Sequence, residues 1–280
     1  MKNYCYINGK IVPAEKASVS VNDLGVIRGF GAFDYLRTYN GIPFLFNEHM
    51  KRFERTAKIL KMRIPVTRNE IRKIIETLVR KNKIKNAGIR IVLTGGASMN
   101  GVDYDLRTPT FFITAKELPN YPKTIYEDGV SLMTAEYMRE FPEAKSTNYL
   151  RMLTLFPEKK KKGMFEILYK FKGYIFEGTT FNFFGVKGKT LITPKQDILL
   201  GTRRNLVISL AKKHGYKIAE RPIALPELEE LSEAFITSTT RDIVPVVRID
   251  GVRIGNGNVG THTKQLMNAY RAYVEKAVSE

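Results

Sequence analysis

Hydrophobic and polar positions in the N-terminal part of the chain predict short strands and two amphipathic helices. The pairs Asn8-Gly9 and Asn40-Gly41 each separate two strand-like runs, which is typical of type I′ hairpins. Apolar residues then recur at helical spacing over residues 50–60 and 71–78, before two β-rich runs. The predicted strands are Tyr4–Ile7, Lys10–Val12, Ala32–Tyr39, Ile42–Phe46, Gly88–Thr94 and Thr110–Thr114.

The remainder of the chain mixes strands and helices without a regular βαβ period. This pattern favours an α+β fold with a barrel-like mixed sheet over a doubly wound fold. Gly215 is well placed to terminate the second helix of this region. The predicted strands are Gly129–Thr134, Glu166–Lys170, Tyr174–Phe176, Phe181–Val186, Glu233–Thr237 and Val244–Ile249, and the predicted helices are Tyr149–Glu158, Thr202–His214 and Thr263–Val278.

A proline-containing segment divides these two regions. Pro119 and Pro122 favour extended backbone and resist helix formation, so the residues around them are the best candidate for a linker. The sequence therefore predicts a small α+β domain over residues 1–116, a linker over residues 117–125, and a larger C-terminal domain over residues 126–280.

The composition of the 280-residue chain excludes several classes of protein. A hydrophobic fraction of 43% is ordinary for a globular protein and argues against wholesale disorder. Cys5 has no partner for a disulfide, and with three histidines no structural zinc site is expected. No run approaches the ~20 apolar residues of a membrane span, and the N-terminus lacks the apolar core of a signal peptide. We therefore expect a cytoplasmic protein without a metal site.

The formal net charge of +18, from 46 basic and 28 acidic residues, raises the alternative of a basic nucleic-acid-binding protein. The basic residues, however, fall on the polar faces of predicted helices, interleaved with Glu54, Glu70 and Glu76. Lys159–Lys162 is the one real cluster, which we interpret as a solvent-exposed turn. Solvated lysine-rich faces therefore explain the charge without a nucleic-acid partner, and an anionic small substrate is also compatible with it.

Two glycine-rich segments do not support nucleotide binding. Residues 255–260 formally match GxGxxG, but a dinucleotide-binding unit needs a further strand and an acidic residue about twenty residues later. The residues that remain form one predicted helix. Residues 94–97 lack the Lys-Ser/Thr pair of a P-loop, so both segments are interpreted as turns.

The most specific chemistry lies in segments whose order and spacing are informative together. These segments are Lys145-Ser146-Thr147-Asn148-Tyr149, Glu177-Gly178-Thr179-Thr180-Phe181-Asn182, Leu199-Leu200-Gly201-Thr202-Arg203 and Thr237-Ser238-Thr239-Thr240-Arg241. With Arg28–Asp34 and Phe46–Arg52, they resemble the class IV pyridoxal-phosphate enzymes of fold type IV. That family includes branched-chain aminotransferases, D-amino-acid aminotransferases and aminodeoxychorismate lyases.

The resemblance implies that Lys145 is catalytic and holds pyridoxal 5′-phosphate through a reversible imine. Free lysine is protonated at neutral pH, with a pKa of about 10.4, so its reactivity must come from a perturbed environment. Glu177 matches the family's glutamate that faces the ring nitrogen, where a carboxylate keeps the proton in place. Without this context Lys145 would be interpreted as a surface charge and Glu177 as an exposed charge at a strand end.

The resemblance also implies the other cofactor contacts. Arg52 matches a phosphate-binding arginine, with one more cation on a basic helix as the alternative. Backbone N–H groups at the helix start, Thr202, suit a phosphate as well. Tyr149 matches a tyrosine that reaches the phenolic oxygen, but it follows Lys145 by four residues instead of the five common in branched-chain enzymes, which leaves core packing as an alternative. The cofactor-binding residues implied are Arg52, Lys145, Tyr149, Glu177, Leu199, Thr202, Arg203 and Thr239.

The same resemblance implies amino acid and 2-oxo acid substrates, and a homodimer with the active site at its interface. The loop around Arg28 would reach the partner's site, where an arginine can clamp a carboxylate through two hydrogen bonds. For Arg28 and Arg90 an ordinary surface or structural salt bridge is the alternative. The substrate-binding residues implied are Arg28, Phe33, Arg37, Arg90 and Thr240.

Two interpretations of the substrate compete. The Lys145-x-x-Asn148 spacing and the candidate arginine clamps favour D-amino acids, which we take as the first expectation. The segment 33–38 and Tyr149 favour branched-chain L-amino acids. Lyase chemistry on aminodeoxychorismate is the third interpretation, because the same imine and carboxylate site would serve it.

Overall fold

A computed structural model describes residues 3–279 and confirms both predicted hairpin turns. Asn8 and Gly9 have φ values of 43° and 89°, and Asn40 and Gly41 have values of 50° and 89°. Positive φ at both central positions is what a type I′ turn requires. Among the described residues, no helix is both long enough and apolar enough to cross a membrane.

The chain forms two compact units, and the first comprises Met1–Pro119 with Ala144–Asn148. Its elements are β1 (Tyr4–Ile7), β2 (Lys10–Pro13), α1 (Leu24–Ile27), β3 (Gly31–Tyr39), β4 (Ile42–Pro43), α2 (Phe46–Ile59), α3 (Arg68–Asn82), β5 (Ala87–Thr94) and β6 (Thr110–Glu117). The strands form one sheet that is antiparallel throughout, in the order β2-β1-β6-β5-β3-β4.

The core of this unit lies between one face of the sheet and the two long helices. β3 and β5 contribute alternate residues such as Leu36 and Ile91, and α2 and α3 contribute residues such as Phe53 and Ile75. α3 begins with a capping box in which Thr67 and Glu70 bond each other's backbone N–H groups. The remaining side of β3 and β5 faces away from these helices.

The predicted strand Ile42–Phe46 is wrong beyond its first two residues. Proline has no N–H to donate to a ladder, and β4 ends at Pro43. Leu45 then adopts a left-handed conformation, with φ of 53°, and α2 begins at Phe46. The apolar run therefore contributes to a helix start instead of extending the sheet.

The second unit comprises Asn120–Glu143 and Tyr149–Glu280. Its elements are α4 (Thr124–Glu127), β7 (Val130–Glu136), α5 (Leu150–Lys161), β8 (Glu166–Phe171), β9 (Tyr174–Gly178), β10 (Asn182–Lys187), β11 (Thr190–Thr193), α6 (Thr202–Lys213), β12 (Lys217–Glu220), β13 (Ile223–Ala224), β14 (Glu233–Ser238), β15 (Asp242–Ile249), β16 (Val252–Arg253) and α7 (Thr261–Ser279). The predicted barrel-like mixed sheet is confirmed. Six strands form a ring in the order β10-β14-β15-β7-β8-β9, and the pairing of β9 with β10 closes it.

An apolar cluster fills this barrel. β10 and β14 contribute Phe183 and Ile236, which lie opposite each other, and β7 and β8 contribute Leu132 and Leu168. Parallel pairs β15–β7 and β7–β8 interrupt an otherwise antiparallel ring, so the sheet is mixed. The predicted exposed turn at Lys159–Lys162 is instead the last turn of α5 and the residue that follows it.

The division of the chain differs in detail from the domains expected from the sequence. Ala144–Asn148, which the sequence analysis placed with the C-terminal domain, belongs to the first unit. The cause is backbone pairing: Phe33 N–H donates to the Lys145 carbonyl at 2.9 Å, and Ser146 forms a bridge with Ala32. The unit boundary near residue 119 lies within the expected linker.

Candidate active site

Backbone hydrogen bonds hold Lys145 on both sides. Its carbonyl accepts from Phe33, and its N–H donates to Thr56 Oγ1 of α2 at 3.0 Å. Thr147 N–H donates to Gly31 O at 2.9 Å and continues the pairing with β3. The Lys145 side chain is partly buried, with Nζ 4.4 Å from the centroid of the Phe33 ring. Lys145 is therefore a positioned amine and not a freely solvated surface charge.

Asp34, His49 and Arg52 form a buried charged cluster on the helix-facing side of β3. Arg52 donates from Nε and Nη2 to the two carboxylate oxygens of Asp34, both at 2.9 Å. His49 Nδ1 lies 2.7 Å from Asp34 Oδ1, and Asp34 and His49 are fully buried. Burial opposes ionisation of Asp34, but Arg52 and His49 outweigh it and hold the pKa of this carboxyl well below its usual range.

Arg52 also lies near the segment that carries Lys145. Arg52 and Thr56 are four residues apart on α2, so they lie on the same side of the helix, one turn apart. Thr56 is the residue that accepts from the Lys145 N–H. The first unit thus brings together the predicted phosphate arginine and the predicted catalytic lysine.

The opposite face of β3 and β5 carries aromatic and cationic residues. Arg90 lies opposite Tyr35 in the ladder, and its guanidinium carbon is 5.5 Å from the Tyr35 ring and 5.7 Å from the Phe33 ring. Arg37 stacks on the Tyr39 ring at 4.1 Å. Phe33 therefore contacts both the amine of Lys145 and the guanidinium of Arg90.

Arg28 is separate from these contacts. It is the exposed C-cap residue of the short helix α1, and its side chain donates to the Ile27 carbonyl at 3.1 Å. Among the predicted substrate residues of the first unit, Arg90 and Phe33 share a cluster with Lys145, whereas Arg37 pairs with Tyr39.

In the second unit, Glu177 begins a polar row across three strands. Glu177 lies opposite Asn182, and Asn182 lies opposite Thr237, so the three side chains share one face of the sheet. Strict alternation from Ile175 would place Glu177 with the apolar residues of the barrel. A register shift between β8 and β9 changes this, because a bulge re-aims the side chains that follow it.

Several donors surround the Glu177 carboxylate. Oε2 accepts from the Leu199 N–H at 3.1 Å and from Asn182 Nδ2 at 3.5 Å. Oε1 forms an ion pair with Arg139 Nε at 3.1 Å, and both side chains are largely buried. A charged donor and a backbone N–H stabilise the ionised form of such a carboxylate.

Arg139 was not identified from the sequence, because no local motif surrounds it. Its Nη2 donates to the carbonyls of Thr179 at 2.8 Å and Gly178 at 3.3 Å, and its guanidinium lies 5.5 Å from the Tyr149 ring. Burial alone would lower the pKa of Arg139, but the charge of Glu177 and the nearby tyrosines raise it above the ordinary value. Arg139 thus connects Glu177 to the predicted cofactor residue Tyr149.

The tyrosine beneath this cluster, Tyr169, is also perturbed. Burial raises the pKa of Tyr169 to about 12, against the opposing effect of the Arg139 charge. Its ring packs on Tyr137 at 5.0 Å, in an edge-on arrangement. Tyr169 therefore stays neutral throughout the physiological range.

Helix α6 begins at Thr202, as predicted, with Gly201 as its N-cap residue. Gly201 has no side chain with which to cap this end, and the first-turn N–H groups of an α-helix point along its axis without acceptors in the helix itself. A Cβ on Gly201 would clash with Asn182 Oδ1, so a larger residue here would displace the Asn182 side chain. Asn182 Nδ2 in turn donates to the Leu199 carbonyl at 2.8 Å.

The loop after β14 carries Thr239 and Thr240, both partly buried. Arg241 anchors it: Nη2 donates to Thr180 Oγ1 at 2.7 Å and Nη1 to Glu166 Oε1 at 2.8 Å. Thr237 Oγ1, on the polar row, is buried and has no hydrogen-bond partner among residues 3–279. The loop is therefore fixed by the arginine that follows the two threonines.

A family model and several proteins of known name match this chain over most of its length. The family model described as amino-transferase class IV matches residues 31–249. A putative branched-chain-amino-acid aminotransferase of Methanocaldococcus jannaschii is 38% identical over 275 residues, covering 95% of this chain and 94% of that protein. A D-alanine aminotransferase of Listeria monocytogenes is 29% identical over 281 residues, covering 98% and 97%.

Solved structures agree with these relatives. A branched-chain amino acid aminotransferase from Escherichia coli has a TM-score of 0.88 at 28% identity, covering 96% of this chain and 93% of that one. Another solved branched-chain amino acid aminotransferase contains pyridoxamine 5′-phosphate and has a TM-score of 0.87 at 27% identity, covering 96% of this chain and 93% of that one.

Proposed function

The chain belongs to the class IV aminotransferases, which use pyridoxal 5′-phosphate, and from this premise we propose that it transfers an amino group between a D-amino acid and a 2-oxo acid with Lys145 as the catalytic amine. The observation that carries the proposal is the shared contact with Phe33. Lys145 Nζ lies 4.4 Å from the ring centroid, and the Arg90 guanidinium carbon lies 5.7 Å from it. An amine that exchanges with the substrate amine thus has a carboxylate-binding cation nearby.

The residues of the chain fit this cofactor. When bound, pyridoxal phosphate supplies an aldehyde that condenses with amines and a cationic ring that withdraws electrons. Arg52 Nη1 forms no hydrogen bond with any residue that the structure describes, although the side chain is only 7% exposed. Such a donor suits a phosphate oxygen, and backbone N–H groups at the start of α6, at Thr202 and Arg203, would bind the others.

The remaining cofactor residues would each have a role of their own. Glu177, which contacts the Arg139 guanidinium and the Leu199 N–H, would hold the proton on the ring nitrogen. Leu199 would pack on the ring while its N–H orients Glu177. Tyr149, beside Arg139, would donate to the phenolic oxygen. Thr239 would add a hydroxyl to the phosphate.

Lys145 would carry the proton during transfer. Lys145 Nζ would act as the base that takes the proton from the substrate Cα and as the acid that gives it back. Its backbone bonds to Phe33 and Thr56 keep the chain in place when the side chain is released. Positioning of this kind is the main contribution that a side chain makes to such a step.

The substrate assignment rests on the cations. Arg90 would bind the α-carboxylate, with Arg37 and Arg28 as further candidates and Thr240 on the second unit as an additional donor. The Lys145-x-x-Asn148 spacing also supports D-amino acids. Branched-chain L-amino acids are the second candidate, supported by the relative of 38% identity and by the names of the structural neighbours. Aminodeoxychorismate lyase activity is the third.

A homodimer in the cytoplasm completes the proposal. Two loops of the first unit lie side by side, since Ser98 N–H donates to Asn22 O and Asp23 forms a bridge with Ala97. Their tips expose Val21, Val26, Met99 and Val102, and Arg28 lies on the same loops. An exposed apolar surface of this kind supports contact with a second copy of the chain.

A half-reaction assay tests the substrate. D-alanine, D-glutamate and L-leucine are added separately to the cofactor-loaded enzyme, and the change in the absorption band is followed by stopped flow. We expect the D-amino acids to react faster than L-leucine. Faster reaction with L-leucine would make the branched-chain assignment the correct one.

Variants of single arginines test the carboxylate site. Arg90→Ala should raise the apparent KM for the amino acid with little change in cofactor binding, because the guanidinium is proposed to bind the substrate carboxylate and not the cofactor. Arg80→Ala, a variant of a more distant arginine on α3, is the matched control and should change neither. An unchanged KM in Arg90→Ala would remove Arg90 from the substrate site.

A further inference from the structure

We propose that Asp34 is a positioning residue that orients Arg52 toward the phosphate of the cofactor. This inference deepens the proposed function and depends on it for the role of Arg52. Asp34 was not among the predicted site residues, yet it is fully buried beside the apolar residues Ala32 and Leu36 of its sheet face.

Asp34 holds the guanidinium of Arg52 along one edge. Asp34 occupies Nε and Nη2 of Arg52 through two bonds of equal length, 2.9 Å, which fixes both the position and the plane of the group. Nη1 is the nitrogen left over, and it forms no hydrogen bond within the described part of the chain. A planar guanidinium that is held along one edge can direct its remaining N–H groups only away from that edge.

His49 also contacts the Asp34 carboxylate. A carboxylate can only accept, so the 2.7 Å contact with Asp34 Oδ1 requires a hydrogen on His49 Nδ1. Arg52 Nη2 lies 3.2 Å from the same nitrogen, and because both atoms then carry hydrogens, this contact is not a hydrogen bond. His49 therefore fixes the Asp34 carboxylate from a second side and does not compete for it as an acceptor.

Stability alone does not explain the cluster of Asp34, His49 and Arg52. Burying a carboxylate and a guanidinium costs desolvation, and replacing such a pair by apolar residues is often neutral or stabilising. Asp34 also cancels much of the positive charge of Arg52, which would weaken a site that relied on charge alone. The arrangement is instead suited to a donor whose direction matters, as at a phosphate whose oxygens occupy defined positions.

Comparison of two ligands tests this inference. Apoprotein is titrated with pyridoxal 5′-phosphate and with pyridoxal, which lacks the phosphate, and both dissociation constants are measured from absorbance. Asp34→Asn should raise the dissociation constant of pyridoxal phosphate by about tenfold or more, the equivalent of one lost charge-assisted hydrogen bond. The dissociation constant of pyridoxal should not change. Arg52→Lys should show the same selective loss.

Asp23→Asn is the matched control. Asp23 is also fully buried, but it accepts from Thr94 Oγ1 at 2.8 Å and from the Gly25 N–H at 2.7 Å, and none of these bonds involves an arginine. This variant should keep the wild-type ratio of the two dissociation constants. Thermal unfolding followed by circular dichroism checks that each apoprotein is folded.

Three results are informative. An unchanged or tighter affinity of Asp34→Asn for pyridoxal phosphate would overturn the inference, because orientation would then be irrelevant. If Asp34→Asn does not fold, Asp34→Glu keeps the charge but displaces the guanidinium, and must show the selective loss for the inference to stand. If the wild type binds pyridoxal phosphate and pyridoxal with the same dissociation constant, the proposed phosphate-binding role of Arg52 is wrong, and the role of Asp34 is wrong with it.

Discussion

Arg139 Nε lies 3.1 Å from Oε1 of Glu177, so the carboxylate proposed to face the cofactor ring already has a buried cationic partner. The guanidinium also donates to the Thr179 and Gly178 carbonyls, which fixes it relative to the end of β9. Arg139 thus holds the Glu177 carboxylate while also bonding the carbonyls of the two residues that follow Glu177.

Removing this partner should destabilise the protein strongly. Arg139→Ala leaves a buried carboxylate without its cation, and such changes cost about 3–5 kcal/mol in the free energy of unfolding. Urea denaturation of the apoprotein measures the loss. Arg107→Ala, which breaks an exposed ion pair with Asp105, should have little measurable effect. Equal stability of Arg139→Ala and wild type would show that the ion pair is not maintained in solution.

Tyr169 should make stability fall at alkaline pH. The unfolded tyrosine loses its proton near pH 10, whereas the folded one keeps it until about pH 12, so in this window the unfolded state binds fewer protons. The free energy of unfolding therefore decreases as pH rises from about 10 to 12, by up to roughly 3 kcal/mol for two pKa units. Denaturant unfolding at several pH values measures the slope, and Tyr169→Phe should reduce it. The same slope in the variant would exclude Tyr169 as its source.

Gly201→Ala should weaken cofactor binding through Asn182. The new Cβ would lie 2.1 Å from Asn182 Oδ1, and the displaced side chain would lose its bond to the Leu199 carbonyl. Overpacking of this kind costs about 1–3 kcal/mol, and we expect a measurable loss in affinity for pyridoxal phosphate. The double variant with Asn182→Ala should be no worse than Asn182→Ala alone, since the clash is then absent. Additive losses would point to another neighbour.

Lys145→Ala should fold normally but lack the absorption band of the loaded enzyme. The segment 144–148 is held through its backbone, by Phe33 and Thr56, so the side chain can be removed without loosening it. Amino-group transfer should fall below detection, and borohydride should no longer fix cofactor to the protein. Lys161→Ala, an exposed lysine at the end of α5, is the control and should behave as wild type. A coloured, borohydride-sensitive Lys145→Ala would exclude Lys145 as the attachment point.

Most of the helices and strands could be predicted, because they depend on residues close together in the sequence. The Asn-Gly turns, the two long helices of the first unit and the helix that opens at Thr202 all follow from short-range periodicity and turn chemistry. The barrel followed from the mixture of elements and from the family resemblance. The strand predicted at Ile42–Phe46 failed because Pro43 and the left-handed Leu45 end it early.

The pairings at the candidate site could not be obtained in the same way. Asp34 and Arg52 are eighteen residues apart on a strand and a helix, and Arg139 and Glu177 are thirty-eight apart. No periodicity relates such positions, since each contact depends on how separate elements pack. Alternation even predicts the wrong side for Glu177, because a single bulge in the ladder reverses it.

The return of residues 144–148 to the first unit bears on how the protein is synthesised. Because β1–β6 precede this segment in the chain, a chain truncated before residue 144 lacks both the strip that pairs with β3 and the amine of Lys145. Under the role proposed for Lys145, such a truncated product would have no transferase activity. Activity would be acquired only once the chain has been extended past residue 148.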